Sequence, residues 1–477
     1  MYFMAEKIAR LMNDRPSMRW LALILIALMM FFGYMFVDVM SPLQEMVESQ
    51  RGWSPDVFGK YASAEYLLNV CGFLILAGII LDKMGIRFTG TLSASMMFIG
   101  AAIKYVGISE WFQDTSFCAW LDSWWVSMPG SAKMAAFGFM IFGCGCEMAG
   151  TTVSKAIAKW FKGKEMAMAM GIEMAIARVG VFAIFSISPL IANKLGGVQG
   201  PVGFCTVLLL IGVINFLVFS VMDKKFDAQL VEAGLAKAEK DPEDEFKVSD
   251  IKKIFTSRSF WVVAILCVLY YSAIFPFQRF GANMLQCNLD GIPADTASNI
   301  FRWFPIGAAV ITPFLGRFLD TKGKGATMLI LGSLLLIVCH LVFAFVLPAT
   351  HSRLIAYATI VILGISFSLV PAALWPSVPK IIDEKILGSA YNLIFWVQNI
   401  GLCLVPMLIG SVLASSNADN PAVVAAKAAG AEFIPYNYTV PLVIFSCFGV
   451  AAFVIALYLK VLNAKKNLHL EEPNIVK

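Results

Sequence analysis

Twelve mostly apolar stretches of about 20 residues or more alternate with short polar breaks along the chain: about 19–41, 56–81, 88–109, 132–160, 165–191, 201–222, 259–287, 295–319, 326–347, 354–380, 387–414 and 438–462. A helix rises 1.5 Å per residue, so roughly 20 apolar residues cross the hydrocarbon layer of a bilayer. Each stretch therefore predicts a spanning helix, and the chain predicts an all-α membrane protein. The first stretch is read as a span and not as a cleavable leader. It is too long for a leader core, has no small-residue cleavage site and runs on into Ser41-Pro42-Leu43-Gln44-Glu45-Met46. Only 223–258 is polar over a long distance; its mixed charges and its alanine-rich part before Asp241-Pro242 predict a solvated linker with one or two surface helices.

A short pattern recurs at about half the chain length. Gly78, Asp82 and Gly85 close the second apolar stretch, and Gly316, Asp320 and Gly323 close the eighth, 238 residues later. A repeat at that offset predicts a duplicated architecture: twelve transmembrane helices in two pseudo-symmetric six-helix bundles. The expected division is 1–222 for the first bundle, 223–258 for a cytoplasmic linker, and 259–477 for the second bundle and a cytoplasmic tail. In the repeated pattern, the glycines allow a tight turn and close helix contact. The aspartate, beside Lys83 and Arg87 or Lys322 and Lys324, can accept from a helix N-terminus or a basic side chain. We read Gly78, Asp82, Gly85, Arg87, Gly316, Asp320 and Gly323 as a gating latch.

Composition sharpens this picture. The 477 residues are 59% hydrophobic and 14% charged, with a mean hydropathy of +0.76, far from soluble-protein averages. Twenty-six of the 37 Lys and Arg fall in the segments on the N-terminal side of the membrane, seven fall opposite and four within spans. That bias places both termini in the cytoplasm. The net charge of +5 is then a topology signal, and no nucleic-acid partner is expected. Trp111, Trp120, Trp124 and Trp125 in the 110–130 loop suit anchoring at the headgroup level. Eight of the ten cysteines lie inside apolar stretches and read as small hydrophobes; Cys118 and Cys287 are the one pair left open to a disulfide. Three histidines and no ligand spacing leave no metal site expected, no cofactor is implied, and no nucleophile–base pair or phosphate loop points to an enzyme.

Ionisable groups inside spans are costly and mark function by default. The first half has Asp38, Glu65, Glu147, Lys155, Glu173 and Arg178; the second has Arg279 and Arg302. Charged recognition is therefore expected mainly from the first half. The fourth and fifth spans form a hairpin about Lys162-Gly163, which sets Glu147 and Arg178 at one depth, about 20 Å from the turn. An anion and a cation at one level suit a substrate with an amine and a carboxylate, or else neutralise each other across the hairpin. Asp38 could hold an amine or a coupling cation, or cap the next turn. Glu65 is a candidate for proton coupling, as is the added acid Glu173, although a five-residue spacing from Arg178 puts it on another helix face. Lys155 is read as snorkelling to the interface, and Arg279 as an interface anchor or gate. Arg302 is the candidate carboxylate contact of the second half. Tyr270, Tyr271, Trp375, Trp396 and Asn399 could line its wall, Asn399 standing opposite Arg178 in the repeat.

Lys159 to Glu165 (KWFKGKE) and Gly171 to Gly180 (GIEMAIARVG) resemble the major facilitator superfamily branch that contains the lysosomal dipeptide transporters. Asp38 before a proline-containing helix end, Glu147 in a Gly-Cys-Gly-Cys-Glu run, YYSAIFPF at 270–277, ALWPSV at 373–378 and LGSAYNLIFWVQNIG at 387–401 add to it. The resemblance covers nearly the whole chain. It implies the superfamily fold and transport of dipeptides through a central cavity, with Glu147 and Arg178 holding the charged ends of the peptide. The chain departs from the pattern at Lys83, where the superfamily usually has arginine, and at Glu173, where the dipeptide branch looks neutral.

The function expected is a secondary transporter moving dipeptides or similar small zwitterions by alternating access, as a uniporter or coupled to a cation. Its expected substrate-binding residues are Glu147, Arg178, Asp38, Arg302, Tyr270, Trp375 and Asn399, with Glu65 and Glu173 as coupling candidates. The alternatives are a monocarboxylate-type organic-anion carrier using Arg178 and Arg302, and a membrane receptor or assembly subunit without turnover. A monomer among membrane lipids is expected, with any accessory membrane subunit unspecified. Its expected location is a bacterial-type cytoplasmic membrane, with the lysosomal membrane as the alternative.

Overall fold

The computed structural model describes residues 11–162, 164–234, 254–382 and 387–473. Ten helical stretches among them are long and apolar enough to cross a membrane. One, Pro55–Ile108, holds two spans: Pro55–Leu68 passes through a π turn, Asn69–Phe73, into Leu74–Ile108, and that helix breaks at Gly85. Gly85 has φ +77°, a value that glycine adopts without the clash a Cβ brings. It divides the stretch into α2 (55–84) and α3 (86–108), after α1 (Pro16–Val37).

The first half continues with α4 (Gly130–Trp160), α5 (Met166–Lys194) and α6 (Gln199–Glu232). The second half begins with α7 (Arg258–Asn288), followed by α8, which runs as Ala294–Phe301 and Trp303–Lys322 around a break at Arg302. α9 joins Gly325–Leu341, a second π turn at Val342–Val346, and Leu347–Thr350. α10 (Arg353–Ser377), α11 (Leu387–Ser416) and α12 (Thr439–Lys466) complete twelve spans. Gly323, φ +71°, turns the chain after α8 as Gly85 does after α2, so the two copies of the pattern occupy matching places. No strand occurs among the described residues.

Boundaries differ from expectation where local chemistry intervenes. Helix α1 stops at Val37 because Asp38 leaves helical geometry ahead of Pro42, whose ring has no N–H to give. Helix α6 runs to Glu232, past the expected start of the linker at 223. Its extra turns are polar, and Asp223 and Asp227 pair with basic residues of neighbouring helices. The surface helices expected up to 258 fall mostly on 235–253, outside the described residues. All ten cysteines are free, so Cys118 and Cys287 are not joined.

The two sides of the molecule are unlike. The motif side carries the Gly85 and Gly323 turns; the far side carries the loops after α1, α3 and α11. Polar links between the halves cluster toward the far side. Gln286 donates to Glu45, Tyr436 to Glu48 at 2.5 Å, Ser298 to the Phe185 carbonyl and Arg302 to Ser186 at 3.3 Å. There α2 lies flush on α11: a Cβ at Gly59 would stand 2.4 Å from the Pro406 carbonyl oxygen, and one at Gly410 would stand 2.3 Å from that of Pro55. The deepest hydrogen bond runs from Trp396 Nε1 to the Val70 carbonyl at 2.9 Å. Val70 lies in the π turn, where the normal helical ladder is interrupted and a carbonyl can be offered to a neighbour.

On the motif side, the ion pairs among the described residues stay within one half. Arg19–Glu165 (2.8 Å), Lys155–Asp82 (2.8 Å) and Lys159–Asp223 (2.7 Å) belong to the first half, and Lys324–Glu471 (4.0 Å) to the second. A Cβ placed on Gly78 or Gly316 meets nothing within 4 Å. Among the described residues, the polar links named between the halves lie toward the far side.

Candidate functional site

Glu147 lies thirteen residues before the end of α4, and Arg178 twelve residues after the start of α5. At 1.5 Å per residue both stand about 20 Å from the motif-side ends, near the middle of a bilayer core of about 30 Å. Each is half-buried, and no ion pair joins them. Mutual neutralisation, one of the two sequence-based options, is therefore absent in this conformation. Tyr34 of α1 stands within electrostatic reach of Cys146, Glu147, Glu173 and Arg178. The five-residue spacing put Glu173 on another face from Arg178, yet both acids and the arginine act electrostatically on this one phenol. Neither Glu147 nor Glu173 has a hydrogen-bond partner among the described residues. Nη1 of Arg178 is buried without one.

The second half answers with aromatic faces. The Arg178 guanidinium stacks over Phe367 of α10 at 4.9 Å, a cation–π contact across the central seam. Tyr271 stacks on Phe275 at 5.5 Å, and Trp375 on Phe395 at 4.8 Å. Trp375 Nε1 donates to Tyr271 Oη at 3.3 Å, and Tyr391 Oη donates to the Trp375 carbonyl at 3.1 Å. Tyr271, not Tyr270, is the tyrosine within electrostatic reach of Arg178. Tyr270 is fully buried, its hydroxyl 2.9 Å from Ser366 Oγ within the second half; adjacent residues on a helix face about 100° apart, and sequence alone did not choose between them. Asn399 is buried too: Nδ2 donates to the Phe395 carbonyl at 2.9 Å, while Oδ1 has no partner.

Two expected site residues, Asp38 and Glu65, form a different cluster on the far side with Arg279. Arg279 of α7 crosses the seam. Its Nη1 donates to Asp38 at 3.0 Å and to the Val37 carbonyl, and its Nη2 donates to Glu65. Gln278 and Ser41 also donate to Asp38. Asp38, Glu65 and Arg279 are all at most 6% exposed. Here the Asp38 carboxylate is occupied by protein groups and is not free for an amine. Arg279 thus links the two halves in this conformation and does not lie at the interface as an anchor. Arg302 also sits in the seam, over the rings of Phe182 (5.2 Å) and Trp303 (5.7 Å).

The latch residues are placed within the halves. Asp82 pairs with Lys155 of α4 at 2.8 Å and, among the described residues, not with Lys83 or Arg87, so Lys155 has a protein partner and does not merely snorkel. Arg87 pairs with Asp227 at 2.6 Å and Asp223 at 3.5 Å on α6. The open surroundings of Gly78 and Gly316 show that the close helix contact expected of them is not made in this state. Asp320 has an interaction within the protein. Lys104 of α3 escaped the sequence reading entirely, because its place near the end of a span suggested an exposed position. It is fully buried. The four-residue spacing of Lys104 from Gly100 on a helix that packs through glycines was the one available signal.

Two six-helix bundles, linked toward the far side, with partnerless charges at mid-depth, define a membrane carrier of the alternating-access type. Residues 115–406 match the Major Facilitator Superfamily model, and the chain belongs to that family. It is 25% identical over 407 residues to the human lysosomal dipeptide transporter MFSD1, covering 84% of this chain and 81% of that one. To the zebrafish (Danio rerio) protein of the same name it is 27% identical over 405 residues, covering 83% and 80%. Among solved structures it is similar to the nucleoside transporter NupG, with TM-score 0.67, 13% identity, and 92% and 98% of the chains covered. It is also similar to a bacterial homologue of the human lysosomal transporter Spinster, with TM-score 0.66, 15% identity, and 97% and 100% covered.

Proposed function

We propose that this transporter carries dipeptides or similar small zwitterions. The observation that supports the reading is the pair of partnerless charges at mid-depth: Glu147, without a hydrogen-bond partner among the described residues, and Arg178, with Nη1 buried and unsatisfied. A buried polar group without a partner costs free energy that a ligand can recover. One anion and one cation on adjacent helices offer a site to an amine and a carboxylate of one molecule. Glu173 adds a second acid, and the stacked Tyr271 and Trp375 offer apolar faces to peptide side chains. The relatives named as dipeptide transporters point the same way. Of the other expected ligands, Asp38, Arg302 and Tyr270 act as seam or packing groups in this state, and Asn399 remains a wall candidate.

The concentration of Lys and Arg on the motif side makes that side cytoplasmic, with both termini there and the cavity opening inward. Uniport and coupling to a cation through Glu65 or Glu173 remain alternatives within this reading. The protein works as a monomer in a cytoplasmic membrane, or in a lysosomal membrane as the names of its relatives suggest. The anion-carrier alternative loses support because Arg302 is tied to Ser186 and two rings. The test is thermal stabilisation of the purified protein by dipeptides, free amino acids and small carboxylates. Ligand binding to the folded state raises stability by RT ln(1+[L]/Kd). A shift with dipeptides that disappears in both Glu147→Gln and Arg178→Ala is expected; a carboxylate-induced shift that survives Glu147→Gln would move the assignment to the anion carrier.

A further inference from the structure

The far-side seal contains a cation with no evident task. Lys104 Nζ has no hydrogen-bond partner and lies 4.2 Å from the ring centre of Phe36, 4.3 Å from Phe139 and 5.1 Å from Tyr61. Those three rings come from α1, α4 and α2 of the same half. Arg279 lies 5.8 Å from the same Phe139 ring, so the two cations share an aromatic layer. Among the charged groups within electrostatic reach of Lys104 are Arg279, Glu65 and Asp38.

The distribution of these groups between the halves matters. Asp38, Glu65 and Lys104 all belong to the first half; Arg279 alone belongs to the second. When the far side opens, Arg279 departs with its own half and leaves two carboxylates behind. Glu65 lies ten residues into α2, about 15 Å from the far-side start of that helix, and Asp38 stands beside it because both meet the one Arg279 guanidinium; a carboxylate at that depth without a counter-charge is strongly disfavoured.

We propose that Lys104 is the reserve counter-cation of this gate: it waits in the ring cage while Arg279 holds Glu65 and swings onto Glu65 when Arg279 leaves. The aromatic cage suits such a waiting place. Ring faces attract an ammonium without fixing its direction, and a lysine stem of four methylenes is flexible enough to redirect Nζ. The proposal deepens the transport reading by naming how the far side opens, and it rests on that reading only in assuming that this side does open.

The test follows the gate without any substrate, so its outcome is separate from the dipeptide assignment. In the full-length protein, spin labels replace the exposed Asp114 and Asp419, one in a far-side loop of each half, with the exposed Cys71 and Cys447 changed to Ser. The distance distribution reports the far-side-open fraction. Lys104→Met keeps an unbranched apolar side chain one atom shorter that still packs against the rings but removes the charge; it is expected to lower the open fraction at least tenfold, and Lys104→Arg to restore it. In a Glu65→Gln background the carboxylate onto which Lys104 would swing is gone, so adding Lys104→Met is expected to change the open fraction less than twofold. An unchanged open fraction in Lys104→Met overturns the proposal. So does a loss of similar size in the Glu65→Gln background, which would make Lys104 a packing residue. Should Lys104→Met alone fail to fold, the comparison of Glu65→Gln with Glu65→Gln/Lys104→Arg decides. Equal open fractions support the proposal, and a difference above fivefold refutes it.

Discussion

Replacing Arg279 by Met removes the bolt between the halves. Arg279 is 6% exposed and donates to Asp38, Glu65 and the Val37 carbonyl; the carboxylates it serves are 0% and 3% exposed. Taking one partner from a buried ion pair costs about 3–5 kcal/mol, because the remaining charge is left uncompensated. Arg279 comes from the other half and parts from the carboxylates on opening in any case, so this loss falls on the sealed state, at the lower end of that range where Lys104 turns onto Glu65. At 1.4 kcal/mol per tenfold, the far-side-open fraction should rise by roughly a hundredfold or more. The assay is alkylation of Leu43→Cys by a membrane-impermeant maleimide added from the far side. Leu43 is 1% exposed in the short turn after α1. Its thiol reacts only when the seam parts, with Cys118 and Cys287 changed to Ser to silence the background. The triple variant Asp38→Asn/Glu65→Gln/Arg279→Met removes the stranded charges and should return much of the lost stability. A labelling rate in Arg279→Met within twofold of the parent would show that the polar cluster does not hold the far side closed.

Three further outcomes separate the buried from the exposed members of the motif-side network. Asp223→Asn should lower unfolding stability by about 3 kcal/mol, since that side chain is 2% exposed and serves Arg87, Lys159 and Trp160 Nε1 together; Asp82→Asn should cost under about 1 kcal/mol, its pair with Lys155 being 64% and 41% exposed. Thermal melts of the two variants side by side check the ranking. The Glu165 carboxyl is held below its ordinary value of 4.5 by hydrogen bonds from Arg19. The depressed value means this contact stabilises the fold above about pH 4.5 and is lost as the pH falls through the lowered value; a melting temperature that falls from pH 5 to pH 3 in the parent and less steeply in Glu165→Gln is the expected pattern. Gly78→Leu should leave the melting temperature nearly unchanged, because nothing lies within 4 Å of its Cβ position, yet reduce counterflow in proteoliposomes at least tenfold by blocking closure of the motif side. Full counterflow in that variant would show that Gly78 never enters a close contact.

Much of the architecture was legible along the chain because a bilayer constrains it so strongly. Backbone groups in hydrocarbon have to be satisfied within a helix, so runs of apolar residues translate almost directly into spans, and the twelve helices lie within a few residues of the runs except at α1 and α6. The repeated glycine–aspartate pattern located the two turns with positive φ, since the conformation is local to the residue. The shared depth of Glu147 and Arg178 was also a one-dimensional matter, two distances from one hairpin turn.

What the chain alone left open were the questions of partnership. Asp38 and Glu65 bind a residue more than 200 positions away, and no local pattern distinguishes a carboxylate awaiting substrate from one held by Arg279. Tyr270 and Tyr271 are neighbours in sequence and opposite in role, because a rotation of 100° per residue sends one to Ser366 and the other toward Arg178. Lys104 looked like a span-end lysine, and only the packing of α1, α2 and α4 around α3 encloses it in three rings. Hydropathy registers how many apolar atoms a segment contains and at what period. Which charge meets which depends on how two halves of the chain dock, and that is settled by contacts between residues far apart in sequence.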